Sequence, residues 1–207
     1  MKTIKKGDRG DEVKLLQRAL HLYADGIFGK LTDEAVRECQ KSHGLVADGI
    51  VGAKTWEALG IDETTMQLKK SRRSINEIIV HCSATPEGRN VSVDEIRRWH
   101  LQRGFADIGY HYVVYLDGSI KEGRNVNTAG AHCTGHNTHS IGVCYIGGCA
   151  KDGKTAKDTR TGKQKESLVW LLKSLKSLYP KASIHGHREY ANKACPSFDA
   201  YNEYKSL

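Results

Sequence analysis

A doubled turn constrains this chain more than any other feature. Asp-Gly-Ile-Phe-Gly at residues 25–29 returns as Asp-Gly-Ile-Val-Gly at residues 48–52, 23 positions later. A repeat this short marks one supersecondary unit copied, and neither copy can bury its apolar face alone. Each copy leads into a helical pattern, over 31–40 and over 54–60. In the first, Thr32 is the expected N-cap, with Ala35, Val36 and Cys39 following at spacings of three and four. Ahead of both, residues 11–22 put Val13, Leu16 and Leu20 on one stripe, flanked by Leu15, Ala19 and Leu22. Gly44 and Gly60 stand where helices should stop. Residues 1–62 therefore predict a small three-helix domain.

Residues 63–73 lose this periodicity, turn polar and basic, and read as a linker. From residue 74 the pattern alternates between strands and helices. A buried-strand run covers 75–81, and Ser92 with Glu95 forms a capping-box signal for a helix through Trp99 to Gly104. Residues 111–116 meet Asp-Gly-Ser at 117–119 as the first arm of a hairpin. A further strand is expected over 140–147 and a short one over 182–185. Between them lies an amphipathic helix, 164–179, carrying Leu168, Leu171, Leu172, Leu175 and Leu178. Residues 74–207 thus predict an α/β domain, a mixed β-sheet flanked by helices.

Charge narrows the partners. The 207 residues carry 32 Lys and Arg against 24 Asp and Glu, a net charge of +8. That favours a polyanion: nucleic acid, an anionic membrane or a bacterial cell wall. The basic residues are dispersed apart from 69–73 and 151–165, so a solvated surface is the plainer reading and no nucleic acid is expected. No apolar run approaches the roughly 20 residues of a membrane helix, so no transmembrane segment is expected. The basic start has no apolar stretch behind it, which predicts synthesis in the cytoplasm without a signal peptide. Six cysteines without regular spacing, in a chain of that kind, predict reduced thiols.

The ten histidines point to chemistry. His81 ends a strand; side chains alternate there, so His81 and Cys82 face opposite ways and cannot readily share a metal. In the 131–140 segment, His132, Cys133, His136 and His139 have spacings that suit zinc. Gly135 and Asn137 make it a loop with no fixed face, however, and polar groove residues are the better reading. In 185–199, His187 and Cys195 stand eight apart, with Lys193 two before the cysteine. Zinc takes imidazole and thiolate, and a catalytic zinc uses three protein ligands plus water, so a distant histidine must complete the set. Blue copper would need an axial methionine, and only Met1 and Met66 exist, both before residue 74.

Two resemblances follow from longer stretches. Residues 5–17, the two turns, Gly-Leu-Val-Ala-Asp-Gly at 44–49 and Thr-Trp-Glu-Ala-Leu at 55–59 resemble the helical peptidoglycan-binding module found beside many wall hydrolases. Cys39 departs from it, where an aromatic is usual. Val-His-Cys-Ser-Ala-Thr (80–85), Glu-Ile-Arg-Arg-Trp-His (95–100) and Ile-Gly-Tyr-His-Tyr (108–112) belong to a second set. With 117–124, 139–148 and Lys-Ala-Cys-Pro-Ser-Phe-Asp (193–199), they resemble the zinc N-acetylmuramoyl-L-alanine amidases of the phage-lysozyme type, grouped with the peptidoglycan recognition proteins.

That resemblance implies one catalytic Zn2+ on His81, His187 and Cys195, catalytic roles for Tyr110 and Lys193, and a groove histidine at His132. It implies hydrolysis of the amide between N-acetylmuramic acid and L-alanine by zinc-activated water. The protein would be an endolysin or autolysin, a monomer acting on peptidoglycan and its muropeptides after release from the cytoplasm. The alternative is a recognition protein that binds without cutting. Such members commonly lack the cysteine ligand, which is present here as Cys195. The basic stretch 151–163 receives no role from either reading.

Overall fold

The computed structural model describes residues 2–61 and 68–207, which fall into two compact units on either side of residues 62–67. The first part of the expected linker therefore lies outside the described residues.

The first unit holds α1 (Asp11–Ala19), α2 (Lys30–Ser42) and α3 (Ala53–Ala58) around Ile4, Val13, Leu16, Phe28, Val36, Val51, Trp56 and Ile61. What the repeat copies is a set of hydrogen bonds. The buried Gln17 amide donates to Asp25 Oδ1 (2.7 Å), the Ile27 carbonyl (3.0 Å) and Thr32 Oγ1 (3.1 Å), two hydrogens shared among three acceptors. Its Oε1 accepts from the Gly26 N–H at 2.8 Å. The same offset later, Gln40 donates to Asp48 Oδ1, the Ile50 carbonyl and Thr55 Oγ1 at 3.0–3.2 Å and accepts from the Gly49 N–H. Both glycines are left-handed, φ +77° and +74°, the region where a Cβ is disfavoured. A Cβ on Gly49 would also sit 2.4 Å from Asp33 Oδ1.

Thr32 is not the N-cap. The helix begins earlier, with Gly29 as N-cap, and the Thr32 hydroxyl is buried on Gln17 instead. α1 also ends short of Leu22: His21 turns left-handed, and the Leu22 N–H bonds back to the Gln17 carbonyl.

The second unit runs β1 (Glu77–Cys82), β2 (Thr85–Pro86), α4 (Val93–Gln102), β3 (Tyr112–Val114), β4 (Ile120–Glu122), β5 (Ser140–Tyr145), β6 (Gly148–Cys149), α5 (Gly162–Leu178), β7 (Ser183–Gly186) and α6 (Ala200–Tyr204). Five strands form one mixed sheet in the order β4-β3-β5-β1-β7, all parallel except β4, as the alternation of strands and helices predicts. β2 and β6 pair apart from it. Ile78, Val80, Ile141 and Val143 pack with Leu168, Leu171, Leu172 and Leu175 of α5. On the other face Val113 and Cys144 pack with Ile96 of α4. His81 lies beside Cys144 in register and so belongs to the α4 face, at the C-terminal end of β1.

Several boundaries move. Ser92 caps α4 by accepting from the Glu95 N–H, but the Glu95 carboxylate pairs with Arg89 rather than closing the box. The end of the expected linker is docked on the second unit. Ser71 donates to the Tyr179 hydroxyl and the Val126 carbonyl, and the Arg73 guanidinium binds the carbonyls of Val126, Asn137, Thr138 and Ser140. The basic stretch 151–163 gains a role at its end. Arg160 pairs with Asp158 and Glu203, donates to the Tyr204 hydroxyl and lies 3.2 Å over the Phe198 ring, fastening the start of α5 to α6.

Candidate active site

Strand β1 delivers His81 to its end, and β7 runs straight into a short turn, His187–Glu189, that delivers His187 beside it. Cys195 returns to the same place because the Arg188 N–H binds its carbonyl (2.7 Å) and the Cys82 N–H points at its sulfur (3.3 Å). One donor atom from each of His81, His187 and Cys195 lies within 4.8 Å of the others, with His81 Nδ1 3.8 Å from Cys195 Sγ. Sequence separation between these two is 114 residues. The Cys82 side chain leaves in the other direction, toward Ser197, as strand alternation requires.

A chain of hydrogen bonds fixes which nitrogen of His81 faces this group. The Ser140 hydroxyl donates to the His136 carbonyl (2.7 Å), so its oxygen accepts from His132 Nε2–H (3.3 Å). His132 Nδ1 is then an acceptor, taking the proton on His81 Nε2 at 3.0 Å. That leaves the His81 Nδ1 lone pair turned toward Cys195. Burial, then the neighbouring charges of His132, His187 and Lys193, hold the His81 imidazole well below its ordinary range, so it stays neutral. Burial does the same to His132. His132 fits because Gly130 and Gly142 flank it; a Cβ on either would lie 2.4–2.5 Å from its ring.

The donor set fits a metal. Two neutral imidazoles and one sulfur converge, the kinds of ligand that zinc takes. Beside the group opens a cavity of about 510 Å³ lined by Trp99, His100, Tyr110, His132, His187 and Lys193, among others. The Tyr110 ring lies 5.1 Å from that of His81, and burial pushes its phenol well up, keeping it a neutral hydrogen-bond donor. Lys193 stands exposed at the rim.

Of the six residues singled out from sequence, Tyr110, His132, His187, Lys193 and Cys195 line one cavity, and His81 lies buried behind it against His132 and Cys195. Sequence reasoning missed His100, whose Nδ1 accepts from the Gly109 N–H (2.9 Å) and whose ring lies 5.4 Å from Tyr110. Its signal was the four-residue spacing from Ile96 on the buried face of α4. The 131–140 loop does have fixed faces. His132 enters the cavity, while His136 and His139 turn to Glu77 at the opposite end of β1.

A five-stranded mixed sheet with a His–His–Cys group beside a cavity makes this an α/β domain with a candidate metal centre. Comparison places it further. Residues 71–198 match the family described as N-acetylmuramoyl-L-alanine amidase, and residues 9–59 match the one described as "Putative peptidoglycan binding domain". The chain is 45% identical over 130 residues to the endolysin of Escherichia phage T7, covering 63% of this chain and 85% of that protein. It resembles the solved N-acetylmuramoyl-L-alanine amidase LysC from Clostridium intestinale URNW (TM-score 0.54, 26% identity, 67% of this chain and 90% of that one). Drosophila PGRP-LB is similar to the same extent (TM-score 0.55, 25% identity, 67% and 84%). The chain belongs to the N-acetylmuramoyl-L-alanine amidase family. It is a peptidoglycan hydrolase whose amidase domain follows a helical module of the peptidoglycan-binding type.

Proposed function

We propose that the second unit works with one Zn2+ held by His81, His187 and Cys195, and that the first unit holds the wall. The observation that carries this is the convergence of those three donors, contributed by β1 and the segment after β7, in a chain of this family. When bound there, zinc supplies Lewis acidity to water and to the lactyl carbonyl. The protein's own groups do the rest. His132 holds the proton of His81 on Nε2 and so keeps Nδ1 free as a ligand atom. Tyr110, kept as a neutral phenol, donates a hydrogen bond to the attacking water or to the tetrahedral oxygen. The Lys193 ammonium, at the rim, stabilises the developing oxyanion.

The net charge of +8 suits an anionic wall. Tethering by the helical module turns the encounter with a stem peptide into an intramolecular event and raises its local concentration. We read the protein as a monomer that is made in the cytoplasm and acts on the wall after release.

The test is digestion of purified peptidoglycan by metal-free and zinc-restored protein, scoring new amino termini and new reducing ends. Zinc-dependent N-terminal alanine without reducing ends is the expected result. Tight wall binding with no cleavage would instead make this a recognition protein, and new reducing ends would make it a glycosidase. Removing residues 1–62 should spare cleavage of soluble muropeptides and weaken action on whole walls; equal loss on both would sink the anchoring role.

A further inference from the structure

A second group of metal-type donors lies at the other end of β1, about 13 Å along the strand from His81 at roughly 3.3 Å per residue. The donor atoms of Glu77, His136 and His139 lie within 4.8 Å of one another. His136 Nδ1 stands 2.8 Å and His139 Nε2 3.4 Å from the same oxygen, Glu77 Oε2. The other carboxylate oxygen, Oε1, is taken by the Tyr190 hydroxyl at 3.0 Å, and the Tyr190 ring stacks on His136 at 3.9 Å. The carboxylate is thus oriented by a neighbour that leaves one oxygen facing two imidazole nitrogens. Outer partners of this kind commonly set the direction of metal-binding carboxylates and imidazoles.

The arrangement is anchored. The His139 carbonyl accepts from the N–H groups of Asn76 and Glu77, which zips the loop to the start of β1. The His136 carbonyl accepts the Ser140 hydroxyl. Zinc-class ions bind imidazole nitrogen and carboxylate oxygen at 2.0–2.2 Å, so tetrahedral neighbours stand about 3.3 Å apart. The His139 contact already has that spacing, and the His136 contact needs to open by about half an ångström. Both imidazoles remain partly open to solvent, 28% and 37% exposed at the side chain, so an ion has a way in.

We propose that Glu77, His136 and His139 form a second metal site, taking a zinc-class divalent cation with solvent as its fourth ligand. Its role is positioning. The ion would clamp the 131–139 loop to β1, and that loop carries both His132 and the carbonyl on which the chain from His81 ends. The second ion should therefore slow the loss of metal from the His81–His187–Cys195 group.

The experiment counts ions in the full-length protein, stripped and then refilled with Zn2+ or Co2+. Two equivalents are expected. Cys195→Ser should keep one, His136→Gln with His139→Asn should keep one, and the combined variant should keep none. With Co2+, the sulfur-to-metal absorption should vanish in Cys195→Ser while visible ligand-field absorption from the second site remains. Glu77→Gln, which preserves shape, provides the same reading if the double histidine variant unfolds. A Cys195→Ser protein that binds no ion, or a count unchanged by substitution at Glu77, His136 and His139, would overturn the proposal. One equivalent in the unsubstituted protein, kept in Cys195→Ser and lost with the two histidines, would uphold the second site and sink the zinc reading of the first. The two proposals therefore fail separately.

Discussion

At Cys195 a serine would keep the side chain's shape and lose the sulfur toward which the Cys82 N–H points. Cys195→Ser should release zinc from the cavity site and bring cleavage to background; full activity in protein of checked metal content would exclude the ligand role. Lys193 is exposed at the rim and is not one of the three donors, so Lys193→Ala should lower kcat by about a hundredfold, the scale of a lost oxyanion donor, and leave metal content unchanged. Gly142→Ala tests the chain of hydrogen bonds without removing any member of it. The new Cβ would press on the His132 ring from 2.5 Å, shift it off His81, and weaken zinc binding about tenfold or more by equilibrium dialysis. An unchanged affinity would mean that His132 does not orient His81.

Elements are held by residues that look unremarkable in a linear reading. Gln17→Ala or Gln40→Ala removes an amide that binds helix to turn through four contacts, and each should destabilise the helical module by about 2–3 kcal/mol. The two variants should match, since the wiring is the same; a large difference in their unfolding midpoints would contradict that equivalence. Arg160→Ala leaves Asp158 and Glu203 facing each other without their cation and should cost about 3 kcal/mol of amidase-domain stability. The glycines and aspartates of the repeat were legible in sequence because turn chemistry is local. Gln17, Gln40, Thr32 and Thr55 were not, because a polar residue on a helix reads as a surface residue until its burial is known. The strands and α5 were legible from apolar runs and a leucine stripe, and only their ends moved, by capping and docking contacts such as those of Ser71 and Arg73. The site was legible in a different way. His187 and Cys195 are close in sequence, but His81, Tyr110 and His132 come from separate elements. No periodicity brings them together, and resemblance to a family was the signal that did.

For the whole molecule, acid should be damaging before carboxylates protonate. Burial lowers His100 and His111 from about 6.5 to about 4 in the folded state. Unfolded chains bind those protons first, so the stability these residues contribute is present above pH 6.5 and is lost as pH falls toward 4, about 3 kcal/mol for each. Denaturant midpoints of the metal-free protein should fall steadily between pH 7 and pH 4.5. A flat profile would mean that the two rings can take up a proton in place.

The pairing of β1 carries a consequence for how the molecule comes into being. Glu77 is paired in register with Ser140 on one side and Ser183 on the other, so the central strand waits for partners that are translated long after it. Contacts this distant in sequence close slowly, because the entropy of a large loop is spent before they form. Under the proposed ligand set, the last donor comes at Cys195, so a nascent chain not yet read that far lacks a complete set of ligands. A chain cut short by a premature stop or a protease before that residue lacks the sulfur donor altogether. If those three residues are the ligands, hydrolytic competence is confined to chains that have been read past the cysteine, an all-or-nothing property written into the order in which the strands are made.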